Sequence, residues 1–109
     1  VIDVAAVEDV PVDGTLRVDV EGTPVCLVNA GGALHALHDV CTHALASMSE
    51  GFVDGDTLEC PRHGAQFSVV TGEALTPPAS RPLPTFAVAV SDGRVLVDPT
   101  PSHPHPIHR

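Results

Sequence analysis

Two mixed cysteine–histidine pairs constrain this chain more than any other feature. Cys41-Thr42-His43 is followed by sixteen residues and then by Cys60-Pro61-Arg62-His63-Gly64. Each pair sits within a stretch short enough to form one loop. A fold that uses them has to bring two such loops together, so that two thiolates and two imidazoles meet at one point. Thiolate and imidazole are the ligands of zinc and of iron–sulfur centres. Cys41, His43, Cys60 and His63 are therefore the candidate metal ligands.

The sequence around the pairs reads as strands and turns nearly throughout. Segment 15–20 alternates and is rich in valine, Glu21-Gly22 marks a turn, and 24–29 is the returning strand. Ala30-Gly31-Gly32 turns the chain into 33–38, where the metal segment begins. Asp54-Gly55 is a hairpin signal between 51–53 and 57–60. Strands are also expected at 66–70, 86–90 and 94–97, the last two joined through Ser91-Asp92-Gly93. Helical signal is confined to single turns near 5–9 and 44–49. Short alternating runs with a turn every eight to twelve residues predict an all-β fold, an antiparallel β-sandwich base. A smaller unit over about 40–78 is inserted between its strands.

At 109 residues the chain is one domain. Fourteen acids stand against five arginines and no lysine, giving a net charge of −9. Nucleic acid and anionic membrane both require clustered cations, so neither is an expected partner. The charge fits a basic docking face equally as well as plain solubility. No apolar run reaches membrane-spanning length, and the opening residues show no basic, apolar pattern, so no export signal is expected. Cys26, in the run Val25-Cys26-Leu27-Val28, is the odd one of three cysteines and reads as a buried free thiol. A disulfide-stapled secreted domain would show an even count, so the expected compartment is the reducing cytoplasm.

The residues alone leave two kinds of metal centre open. A tetrahedral zinc site takes two cysteines and two histidines, and would make the chain a zinc-stabilised interaction module. Zinc fingers, however, pair cysteine with cysteine and histidine with histidine and follow them with a helix. Here each loop holds one of each, strands flank them, and the proline-rich stretch Thr76-Pro77-Pro78-Ala79-Ser80-Arg81-Pro82-Leu83-Pro84 follows. That arrangement favours a 2Fe–2S cluster in which two histidines replace two cysteines on one iron.

The quartet, with Glu59-Cys60-Pro61-Arg62-His63-Gly64 and Thr71-Gly72-Glu73-Ala74-Leu75-Thr76-Pro77-Pro78, resembles the Rieske-type 2Fe–2S ferredoxins of multicomponent aromatic-ring-hydroxylating dioxygenase systems, such as those for biphenyl, naphthalene and carbazole. The resemblance implies a Rieske fold over 1–100, with a cluster-binding subdomain at about 40–78 and a disordered or loosely packed tail at 101–109. It implies one Rieske-type cluster with Cys41 and Cys60 on the inner iron and His43 and His63 on the outer one. Two ferric ions, two sulfides and two thiolates sum to zero charge, so an added electron meets less repulsion than in a four-thiolate cluster and the potential rises.

The resemblance also places the chain within its family. High-potential members carry an extra cysteine in each loop, joined as a disulfide, and a serine and a tyrosine whose hydroxyls hydrogen-bond to cluster sulfur. The corresponding positions here are Ala46 and Arg62, and Ala65 and Phe67. The expected potential is low, about −150 mV at the bottom of the Rieske range. Rieske domains of terminal oxygenases place a tyrosine where this chain has Arg62 and a tryptophan where it has Ala65. The implied function is that of a one-electron carrier, with no catalytic residues of its own. It would receive electrons from an NAD(P)H-dependent flavin reductase and pass them to a terminal aromatic-ring-hydroxylating oxygenase. The chain has no glycine fingerprint for binding a nucleotide itself. A mobile shuttle of this kind is expected to be a monomer. The small Rieske-like subunit of an assimilatory nitrite reductase is the alternative within the fold.

Other residues fill in the expectation. His35 and His38 read as surface or strand-edge histidines, and His103, His105 and His108 as part of a mobile tail. Arg62 should lie near the cluster, as a partner contact or simply in solvent. Leu45, Met48 and Phe67 read as core packing or as a water-excluding shell around the cluster. Pro77 and Pro78 match the family's covering loop.

Overall fold

The computed structural model describes residues 1–42, 46–62, 64–76 and 81–105. In chain order its strands are β1 (Ile2–Ala6), β2 (Gly14–Val20), β3 (Thr23–Ala30), β4 (Ala33–His38), β5 (Phe52–Asp54), β6 (Thr57–Glu59), β7 (Gln66–Ser68), β8 (Thr85–Phe86), β9 (Val88–Ser91) and β10 (Arg94–Val97). The only helical elements among the described residues are single 3₁₀ turns at Val7–Asp9 and Met48–Glu50. The described residues form three antiparallel sheets, ordered β1-β10-β9, β2-β3-β4-β8 and β5-β6-β7. The first two form the sandwich base. The third is the inserted unit.

The β2–β3, β3–β4 and β9–β10 hairpins turn on two-residue loops, Glu21-Gly22, Gly31-Gly32 and Asp92-Gly93, whose central residues all lie at positive φ. That is the type I′ geometry whose twist matches the strands. The β5–β6 loop is Gly55-Asp56, one residue beyond the Asp54-Gly55 signal.

β3 explains why the apolar run Val25–Val28 does not alternate. Val25 and Leu27 face one core, which lies between the base sheets with Ala36, Phe86, Val95 and Val97. Cys26, Val28 and Ala30 face a second core with Leu37, Cys41, Met48, Leu58, Cys60, Phe67 and Leu83. A strand covered on both faces reads as continuously hydrophobic. The second core is the floor on which the inserted unit rests.

Two strands depart from the sequence pattern. β1, not anticipated, pairs with β10 and completes its sheet. The run expected at 86–90 is interrupted at Ala87: β8 pairs with β4, and β9 pairs with β10 in the other sheet. One chain segment thus passes from sheet to sheet and closes the side of the sandwich. β4 and β8 are neighbours, so everything between His38 and Thr85 is an excursion from one sheet edge.

Candidate metal centre

The first loop leaves β4 through His38, Asp39 and Val40. Asp39 is 2% exposed, and its carboxylate organises the loop from below. One oxygen accepts the Ser47 hydroxyl at 2.6 Å, and the other accepts the Ser49 amide at 2.9 Å. The Asp39 carbonyl accepts the Met48 amide at 2.6 Å, and Val40 bridges to Ser47. Arg17 of β2 reaches the same carboxylate at 3.5 Å. Within this frame the Cys41 amide donates to the Ala46 carbonyl at 3.0 Å.

The second loop repeats the arrangement. It spans the end of β6 and the start of β7, where Glu59 pairs with Gln66. The Cys60 amide donates to the Ala65 carbonyl at 2.7 Å, and the Gly64 amide returns to the Cys60 carbonyl at 3.2 Å. Gly64 closes this turn at φ +74°, with open space where a Cβ would stand. Only glycine adopts that conformation at little cost.

A third segment braces both loops. The Thr42 hydroxyl donates to the Arg81 carbonyl at 2.8 Å. The Leu83 amide donates to the Gly72 carbonyl at 2.7 Å. The Gln66 amide donates to the Thr76 hydroxyl at 3.0 Å.

Cys41 and Cys60 are both fully buried, lie in one core cluster and form no disulfide. Met48 and Phe67 pack in the same cluster. Two buried cysteines, neither in a disulfide, are the thiol pair that would form the sulfur half of the donor set of a histidine-ligated 2Fe–2S cluster, and so fit that group. His43 and His63 lie outside the described residues, as do Leu45, Pro77 and Pro78. Cys26, also fully buried, is not a competing donor: burial, reinforced by the Asp39 carboxylate, pushes its thiol pKa far up, so it stays protonated.

The Rieske [2Fe-2S] domain family matches residues 1–87. This chain belongs to that family. The 3-phenylpropionate/cinnamic acid dioxygenase ferredoxin subunit of Escherichia coli K12 is 45% identical over 93 residues, spanning 84% of this chain and 87% of that protein. The ferredoxin component of the naphthalene 1,2-dioxygenase system of Pseudomonas aeruginosa is 38% identical over 97 residues, spanning 89% and 93%. Among solved structures, a chain in the complex of reduced oxygenase and oxidized ferredoxin in carbazole 1,9a-dioxygenase superposes with a TM-score of 0.88 at 38% identity, covering 94% of this chain and 96% of that one. The cofactor of this Rieske domain is a 2Fe–2S cluster, and the chain is an electron-transfer protein of the ferredoxin kind rather than a catalytic oxygenase.

The remaining site expectations meet mixed outcomes. Ala46 and Arg62, the positions implied for the bridge of high-potential members, line one shallow depression together with Ser47, Glu50 and Pro61. Arg62 is exposed. Ala65 and Phe67, the positions implied for the two hydroxyls, are fully buried in the cysteine core. His35 is half-buried.

His38 is not a surface histidine: it is 4% exposed, and its Nδ1 accepts the Val40 amide at 3.1 Å. Nor is His105 loose, being 6% exposed against His38. Hydrogen bonds, not apolar periodicity, hold residues 101–105, so the tail offers no sequence pattern to read. Asp39 and Thr42 are structural parts of the site that sequence reasoning missed. An acid two residues ahead of a candidate ligand cysteine, with serines at 47 and 49, was the available signal for Asp39.

Proposed function

We propose that this chain is a low-potential one-electron carrier between an NAD(P)H-dependent flavin reductase and a terminal aromatic-ring-hydroxylating oxygenase. In this reading Cys41 and Cys60 hold one iron of the cluster, and His43 and His63 hold the other. The observation that carries it is the matched pair of buried, unlinked cysteines, each set by the same backbone bond in its own loop. When bound, the cluster supplies a site that holds one electron at a time. The protein's own part is to bury the thiolate side on the second core and to keep the loops rigid. Little then has to reorganise when charge arrives.

The relatives named above are ferredoxin components of dioxygenase systems, which supports an oxygenase as the acceptor. The chain carries no glycine fingerprint for a nucleotide, so the reading assigns oxidation of the nicotinamide cofactor to a separate flavin reductase. Docking is proposed at the loop tips. There Arg62, one of five arginines in a chain of net charge −9, offers a local cation to an acidic patch on a partner. The reading takes 1–100 as one Rieske domain, with 40–78 as its cluster-binding part. It takes the protein as a cytoplasmic monomer. Among the described residues no helix is long and apolar enough to cross a membrane.

Visible and EPR spectra before and after dithionite, with iron and zinc quantified, test the proposal. The chain has no tryptophan or tyrosine, so absorbance from the metal centre dominates the spectrum. About two irons per chain and a reduced signal of low average g are expected. Colourless protein with one zinc, prepared without oxygen, would overturn the carrier reading. His43→Ala and His63→Ala are each expected to destroy the native signal, and its survival in either would refute the ligand set. Reconstituted turnover with a reductase and an oxygenase then tests the partners. Stable co-purification with a large sirohaem subunit would point instead to nitrite reductase.

A further inference from the structure

Residues 101–105 lie beyond the part of the chain that the family matches, yet they run back to the metal loops. The Ser102 amide donates to the Thr85 carbonyl at 2.8 Å, and the Thr85 amide donates to the Ser102 hydroxyl oxygen at 2.9 Å. One residue on, His103 Nε2 lies 3.2 Å from the Pro82 carbonyl. A carbonyl oxygen only accepts, so Nε2 carries the proton. Nδ1 lies within hydrogen-bond distance of the Ser102 hydroxyl, at 3.1 Å. The tail is thereby fixed along the third segment.

Its end reaches the first loop. His105 Nε2 donates to the Val40 carbonyl at 2.6 Å. Its ring sits 4.4 Å from that of His38, tilted by 49°. The Val40 amide in turn donates to His38 Nδ1. The Val40 carbonyl belongs to the same peptide group as the Cys41 amide, and that amide donates to Ala46. One rigid peptide plane is thus gripped at both ends, its oxygen by the tail and its nitrogen by the metal loop.

We propose that His105 is a positioning residue for the metal centre: by holding the Val40–Cys41 peptide plane, it fixes the direction in which Cys41 presents its sulfur. The inference rests on the reading of Cys41 as a ligand. Groups that orient a ligand contribute about 10–100-fold to metal affinity, although they never touch the metal. Ordering a terminal segment costs conformational entropy at every residue. Here that cost is offset by a ladder of hydrogen bonds that ends on the residue before Cys41.

The test compares cluster-loaded wild type, His105→Ala, His105→Gln and a chain ending at Thr100. Iron release to a chelator and the g values of the reduced centre are read for each. The His105→Ala and shortened proteins are expected to release iron about tenfold faster or more and to shift the g values. His105→Gln, whose side-chain amide still donates, restores both. Wild-type release and g values in His105→Ala overturn the proposal, and they do so even if its melting temperature falls, because the tail would then support the fold alone. Equal defects in the Ala and Gln variants also overturn it, since the effect would belong to the ring and not to the bond. A wild-type protein without any 2Fe–2S signal breaks the ligand reading itself, and the inference falls with it.

Discussion

Cys41 and Cys60 are held by the same backbone bond, each amide donating to the carbonyl five residues ahead, at Ala46 and Ala65. The two loops differ in sequence and in the spacing between cysteine and histidine, yet they close alike. The equivalence places two buried sulfurs on one core. Asp39 secures the first loop, Gly64 closes the second, and the bonds of Thr42 to Arg81 and of Gln66 to Thr76 brace the two loops from the third segment.

Ala65 and Phe67 are where the potential is expected to respond. Both are fully buried beside the cysteines. In Ala65→Ser and Phe67→Tyr a hydroxyl is introduced that can hydrogen-bond to cluster sulfur and favour the reduced, more negative state. A hydrogen bond worth about 1 kcal/mol more to that state raises a one-electron potential by about 40 mV, since 59 mV corresponds to a tenfold change. Spectroelectrochemical titration should show both variants above wild type. An unchanged or lower potential in both would mean that these positions do not face the sulfurs.

Asp39 and Arg17 form an ion pair whose two halves should behave very differently. Arg17 is 62% exposed, so Arg17→Ala is expected to cost less than about 1 kcal/mol. Asp39→Ala strips the acceptor from the Ser47 hydroxyl and the Ser49 amide and should cost about 1–3 kcal/mol. Urea titration of the two cluster-loaded variants gives the comparison. Equal losses would show that the ion pair, not the loop scaffold, is what Asp39 provides.

The strand frame was legible because its hairpins rest on local chemistry. Asp92-Gly93 and Glu21-Gly22 announce their turns, and the alternation of 15–20 announces a half-buried strand. The metal quartet is proposed from ligand type and spacing, which are written in the residues themselves; of the four, Cys41 and Cys60 fall among the described residues, in one core cluster. β1 was not, because its strand identity depends on β10, which lies at the other end of the chain. The break at Ala87 follows from closing two sheets, which no local window contains. His38 and His105 were misplaced for a related reason. Each is buried through hydrogen bonds to Val40, and a histidine carries no periodic signal that distinguishes such a place from solvent.

Gly72 is expected to be far less replaceable than Gly22, although both lie at positive φ. A Cβ at Gly22 meets nothing within 4 Å, so Gly22→Ala carries only the conformational penalty of about 1–2 kcal/mol. A Cβ at Gly72 would overlap the Leu83 carbonyl, which is backbone and cannot rotate away. Gly72→Ala should therefore lose the Leu83–Gly72 hydrogen bond and loosen the third segment, with a larger fall in stability and faster iron release than Gly22→Ala. Matching behaviour of the two variants would show that this segment does not brace the site.

Cys26 makes a prediction with a definite sign. Burial, and then the Asp39 carboxylate, raise its folded pKa well above the ordinary value of 9.0. Below that value the thiol is protonated in both folded and unfolded states and contributes no pH dependence. Above it the unfolded chain sheds the proton while the folded one keeps it. The folded state then binds more protons, and stability falls as pH rises. The limiting slope for one group is about 1.4 kcal/mol per pH unit. The chain has no lysine or tyrosine to titrate in the same window. Denaturant titrations of cluster-loaded protein between about pH 9 and 11 should show this decline in wild type and a flatter profile in Cys26→Ala, whatever that variant loses at neutral pH. Parallel profiles would place the alkaline sensitivity elsewhere and deny Cys26 its buried, protonated state.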